Sequence, residues 1–174
     1  MLADARAVSF FEDFAGQAFR LYEINATTPE KTLYREYDDI LGQAMLRETE
    51  LYLTELIREN MGAANLIDAD FTFLNRRLAD HYGIDGIEGQ YMRKVALADD
   101  SVRGGLLTQG SVLKLTANGT TTSPVPRGNF VLANLLGQPA PPPPPNVGSL
   151  EPDTRGTTTI REQLSAHRTN TICA

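Results

Sequence analysis

Val8, Phe11, Phe14, Ala15, Ala18 and Phe19 recur three and four residues apart, a spacing that predicts an amphipathic helix from about Asp4 to Tyr22. Asn25, Thr27, Thr28 and Pro29 then mark a loop. A second stripe, Leu41, Met45, Tyr52, Leu53, Leu56 and Ile57, predicts a long helix from an Asp38 cap to about Glu59, with Glu48 interrupting its apolar face. A third helix is expected from about Asp70, with Phe71, Leu74, Leu78 and Tyr82 on one side and Gly83 as its left-handed stop. Gln90–Leu97 reads as a short strand. Leu106–Thr116 fits a short helix or an extended segment, and periodicity does not separate the two. Ser123 and Pro124 have the chemistry of a helix start, and Gly137 that of its end, around Val125, Phe130, Val131, Leu132, Leu135 and Leu136. A last helix fits Ile160–Arg168, where Thr159 and Glu162 have capping-box spacing.

This pattern predicts a mainly α fold: a helical domain over residues 1–92, and a loop-rich, proline-containing partial second domain over 93–174. Composition supports the division. Twelve of the thirteen Phe and Tyr residues precede residue 101, and only Phe130 follows. Aromatic rings supply much of the area that cores bury, so the C-terminal part is expected to pack on the N-terminal part or on something outside this chain. Between the last two helices lies Pro139–Pro145, six prolines in seven residues. Such a run favours polyproline II, either as a stiff strut or as a ligand for an aromatic groove. Its place between two helices favours the strut.

Charge narrows the partners. The net charge of −6 argues against nucleic acid. The first hundred residues carry 19 acidic and 10 basic side chains; the remainder carries 3 and 6. No apolar run approaches the roughly 20 residues of a membrane helix, so no membrane insertion is expected. The N-terminus lacks the basic head and apolar stretch of a signal peptide, so the signal of an exported parent would lie upstream of Met1.

No complete catalytic or metal constellation is present in the sequence. His81 lies near a helix end, where it suits the last carbonyls. Asp68 and Asp70 suit acid–base or calcium chemistry, but helix capping is the simpler reading. Glu48, Glu50, Glu55 and Glu59 read as a solvated face. Arg103-Gly104-Gly105 and Arg127-Gly128 combine backbone N–H groups with a guanidinium, without phosphate-loop spacing. Glycine freedom at a joint accounts for them more simply. Asn25-Ala26-Thr27 and Asn118-Gly119-Thr120 match a glycosylation pattern that is frequent by chance. The sole cysteine, Cys173, lies one residue from the end of the sequence. It reads as a free thiol, a small apolar residue, or the first half of a Cys-x-x-Cys-His haem-attachment motif.

Several segments together resemble a known family: Asp68-Ala69-Asp70-Phe71-Thr72-Phe73-Leu74-Asn75, Leu78-Ala79-Asp80-His81-Tyr82-Gly83, Arg103-Gly104-Gly105-Leu106-Leu107-Thr108-Gln109, Thr122-Ser123-Pro124-Val125-Pro126-Arg127-Gly128, Asn134-Leu135-Leu136-Gly137, and Leu164-Ser165-Ala166-His167-Arg168 with Cys173. They look like two adjacent domains of unknown function from large planctomycete-type proteins associated with cytochrome c, the first over about 1–90 and the second from about 95. The resemblance implies a long, exported, periplasmic or cell-envelope parent. It also implies that a second cysteine and a histidine follow Cys173, making this sequence a fragment.

The expected function is therefore a non-catalytic scaffold that positions a downstream haem c for electron transfer. Its partners would be other domains of the parent chain and a redox partner. One alternative is part of an oxidoreductase or polysaccharide-processing enzyme, which requires Asp68, Asp70, His81, Arg103 and Arg127 to converge in a pocket. Another is an interaction module that uses the proline run.

Overall fold

The longest helix, Asp39–Arg58 (α2), organises the molecule. Asp38 caps it through a hydrogen bond that its side chain accepts from Leu41 N at 2.7 Å. Preceding it is Ala7–Ala18 (α1), and following it are the strand Phe71–Leu74 (β1), the helix Arg76–Tyr82 (α3) and the strand Arg93–Ala96 (β2). Then come Gly110–Leu115 (α4), Pro124–Phe130 (α5) with a π turn over Val131–Leu135, and Ile160–Arg168 (α6). This computed structural model describes Leu2, Asp4 and residues 6–142 and 159–168. Cys173 and Pro143–Pro145 lie outside those residues.

The fold is mainly α with one small antiparallel sheet, in which Phe71 faces Ala96 and Leu74 faces Arg93. One element differs from the expectation. Residues 71–74, predicted as the start of a helix, form β1, and α3 begins only after Asn75. The Asn75 side chain accepts from Leu78 N at 2.9 Å, so Asn75 is the cap, whereas Asp68 and Asp70 are exposed and precede the strand. Pairing with β2 overrides the 3.6-residue periodicity, which four residues are too few to define. Gly83 ends α3 in the left-handed conformation, as its chemistry requires.

Three apolar clusters share α2. Leu53 packs with Ala15, Phe19, Leu21, Leu106, Val112 and Phe130. Leu41, Ala44 and Met45 pack with Ile24, Leu74, Leu78 and Ala79. Tyr52 and Leu56 pack with Phe71. Phe14, placed on the buried face of the first helix by its spacing, is 47% exposed and stacks on exposed Phe10.

The chain divides into two compact units after Gln138. Residues 93–138 therefore belong with 1–92 in one body, which is how their sparse aromatics find a core. In the second unit, α6 carries the expected capping box: Thr159 N donates to Glu162 Oε2 at 2.9 Å, and Glu162 N donates to Thr159 Oγ1 at 3.2 Å. Pro139, Pro141 and Pro142 are exposed.

Candidate functional site

Glu48 follows Leu41 by seven residues and precedes Tyr52 by four, so α2 turns its carboxyl inward. It is 1% exposed, which corrects its reading as part of a solvated face. Its Oε1 accepts from Thr72 Oγ1 and its Oε2 from Tyr82 Oη, each at 2.6 Å. Tyr82 Oη in turn accepts the Gly110 N–H at 2.6 Å. Glycine is needed at 110 for that approach, since a Cβ there would sit 2.8 Å from Met45 Cγ and 3.0 Å from Tyr82 Oη. Burial pushes the Glu48 carboxyl up to about 7, against the opposing pull of the Thr72 and Tyr82 hydrogen bonds and the Arg103 charge. Burial and the neighbouring Glu48 charge together raise the Tyr82 phenol well above its ordinary value. The pair thus holds a proton inside the body under conditions where an exposed glutamate has lost its own.

Beside this pair, Thr49 Oγ1 lies 2.7 Å from Gln109 Oε1 and 2.5 Å from Ser111 Oγ, all buried. Gln109 Nε2 has no hydrogen-bond partner among the described residues. It borders a cavity of about 10 Å³ shared with Glu48, Thr72 and Thr108, close to the space of a single water.

Tyr82 also forms part of the wall of a much larger pocket, about 380 Å³, bordered by Tyr34, Tyr37, Met45, His81, Arg103, Lys114 and Arg127 among others. Three of the five residues expected to converge for enzyme chemistry, His81, Arg103 and Arg127, do so here; Asp68 and Asp70 do not. The Arg103 guanidinium lies over the Tyr82 ring, 3.4 Å from its centroid, and Nη1 donates to Thr108 O at 2.8 Å. Arg127 Nε donates to Thr116 Oγ1 at 3.1 Å. The Lys114 ammonium donates to the carbonyls of Ile24 and Thr27 and sits 5.2 Å from the Tyr37 centroid. His81 Nδ1 is 3.9 Å from Glu36 Oε1, and burial lowers the His81 pKa despite that carboxylate.

Gly104 and Gly105 deliver Arg103 to this wall. A Cβ on Gly104 would lie 2.9 Å from Ala69 O, and one on Gly105, whose φ is +72°, would collide with the Ile67 carbonyl. These glycines lock two backbones together rather than forming a flexible joint. Asn118 is likewise structural: its Oδ1 accepts from Thr120 N and Thr121 N.

Glu48 and Lys114 were not singled out from the sequence as site residues. The 41, 45, 48, 52 spacing carries the signal for Glu48. Lys114 has none, because it depends on loops from elsewhere in the chain.

Among the described residues no cluster of three His, Cys, Asp or Glu side chains is placed to hold a metal, and no helix is long and apolar enough to cross a membrane. Covalent haem attachment needs two thiols and a histidine ligand. This sequence supplies one cysteine, so its residues alone do not complete such a site.

The molecule is thus a mainly α body with a basic, tyrosine-walled pocket backed by a buried acid. Residues 1–84 match the family model PSD4, a protein of unknown function (DUF1592), and residues 103–174 match PSCyt3, a protein of unknown function (DUF1588). Two planctomycete cytochrome c-associated domain models thus match adjacent stretches of the chain. No curated protein and no solved structure matches it.

Proposed function

We propose that this chain is a non-catalytic scaffold portion of an exported c-type cytochrome-linked protein, and that it positions a haem-bearing segment for electron transfer. The supporting observation is the match of residues 103–174 to a cytochrome-associated model, a span that includes Cys173. In this reading Cys173 is the first thiol of a haem-attachment motif, completed by a cysteine and a histidine in a longer chain. Bound haem c would supply one-electron chemistry, and the parent would work in the periplasm or cell envelope with a redox partner. The proline run sets the spacing, because polyproline II advances about 3.1 Å per residue.

The test is a chain extended past Ala174 to include the added cysteine and histidine, co-expressed with cytochrome maturation machinery. A covalent haem c absorption band is expected, and Cys173→Ser should lower it sharply. Absence of the band with both thiols and the histidine intact would overturn the reading.

A second reading, part of an oxidoreductase or polysaccharide-processing enzyme, is favoured by the meeting of His81, Arg103 and Arg127 in one pocket. Its remaining catalytic groups would lie on other domains.

A further inference from the structure

Five Arg or Lys side chains among the described residues are half-buried: Arg47, Arg77, Arg103, Lys114 and Arg127. A half-buried cation loses hydration and ordinarily regains it from a carboxylate. Arg47 does so with Glu12 and Glu50, and Arg77 with Asp38. Among the described residues Arg103, Lys114 and Arg127 form no ion pair with a carboxylate, Arg103 acting on buried Glu48 only from beyond that distance, and all three border the same 380 Å³ pocket. Among the described residues their side-chain hydrogen bonds go to neutral oxygens: Arg103 to Thr108 O, Arg127 to Thr116 Oγ1, Lys114 to Ile24 O and Thr27 O.

This concentration runs against the molecule's net charge of −6. Among the described residues that line the pocket the single carboxylate is Glu36, half-exposed and beside His81. Beside threonines and small residues, the wall carries the rings of Tyr34, Tyr37 and Tyr82 with Met45 and Leu113, surfaces that suit the flat face of a ring. The volume lies within the range of small-molecule sites.

We infer that this pocket binds a small organic anion, a carboxylate or phosphate group carried on a ring, with Arg103, Lys114 and Arg127 supplying the charge and Tyr34, Tyr37 and Tyr82 the apolar walls. The anion replaces the missing carboxylate. A bidentate guanidinium pairing suits either oxyanion, because both present two oxygens to one fork. Arg103 keeps Nε and Nη2 for such a contact, and Arg127 keeps both Nη groups, since the hydrogen bonds among described residues use only Arg103 Nη1 and Arg127 Nε. This inference deepens the pocket reading and is independent of haem attachment, which is read by absorption on a longer chain.

Calorimetric titration of the 174-residue chain with benzoate, phenyl phosphate and uncharged benzamide tests it. At least one anion is expected to bind, more tightly than benzamide by about tenfold or more, and more weakly as salt is raised. The two anions separate carboxylate from phosphate preference. Arg127→Gln and Lys114→Met, each checked for native circular dichroism, should each weaken the anion by about tenfold. Binding without turnover would uphold this inference while counting against the enzyme reading. No binding of either anion to the wild-type chain up to about 10 mM, or equal binding of benzamide, would overturn it, and neither outcome depends on a variant's folding.

Discussion

Glu48 couples the folding of this molecule to pH. Its carboxyl titrates at about 7 in the folded state, against an ordinary value of 4.5. Between those values the folded chain holds a proton that the unfolded chain has lost. The stabilising contribution is therefore complete below about 4.5 and disappears as pH rises through 7, a difference of about 3 kcal/mol for a shift of this size. His81 acts in the other direction: burial disfavours its imidazolium, so the folded state loses ground as pH falls below 6.5. Urea unfolding between pH 5 and 8 should show stability falling toward pH 8. Glu48→Gln should flatten that slope and be more stable than the parent at pH 8. An unchanged slope would remove Glu48 as its source. The 41, 45, 48, 52 spacing carries the signal for a buried Glu48, but its acidic neighbours Glu50, Glu55 and Glu59 made the group read as a solvated face. Its partners were not legible: Thr72, Tyr82 and Gly110 come from three other segments, and no local pattern announces that they meet.

At the scale of elements, short pieces and glycines decide the outcome. Phe71–Leu74 reads as helix while its flanks are considered alone, but a four-residue piece takes its structure from its neighbour, here β2. Long α2, by contrast, was legible from stripe and cap because twenty residues give the period time to declare itself. Gly104-Gly105 was visible as a feature and misread as a joint. The need for glycine arises from residues 66–69, which approach from another part of the chain. Gly105→Ala would combine a collision with the Ile67 carbonyl with a backbone conformation that only glycine adopts readily. It should cost about 3 kcal/mol or more, read as a lowered urea midpoint. Gly128→Ala, where an added Cβ meets nothing within 4 Å, is the control and should change stability by under about 1 kcal/mol.

At the scale of the molecule, the first family match and residues 103–138 of the second meet inside one folded body. Leu106, Val112 and Phe130 from the second match complete the cluster that Ala15, Phe19 and Leu53 begin, and β2 lies between the matches while pairing with a strand of the first. A chain ending at residue 92 would expose those faces and lose β1's partner. It should fail to give a cooperative thermal transition, whereas residues 1–138 should give one, measured by circular dichroism. A sharp transition from 1–92 alone would show that the second segment is an addition to the body and not a part of it. The apolar pattern made the helices readable. The way the second segment fills the first could not be read, because it depends on contacts between residues about ninety positions apart.

The interlock at Gly104-Gly105 has a genealogical consequence. Residues 66–69 and 104–105 leave no space between them, yet they belong to different family matches. The same holds for Met45 and Tyr82 against Gly110. Neither segment can drift freely in such a molecule: a bulkier residue on one side is tolerated only with a compensating retreat on the other. A chimera that joins the first segment of one relative to the second segment of a distant one should fold poorly at this seam, and repair should come from changes in the opposite segment. The two domains would then pass down their lineages as a single inherited piece.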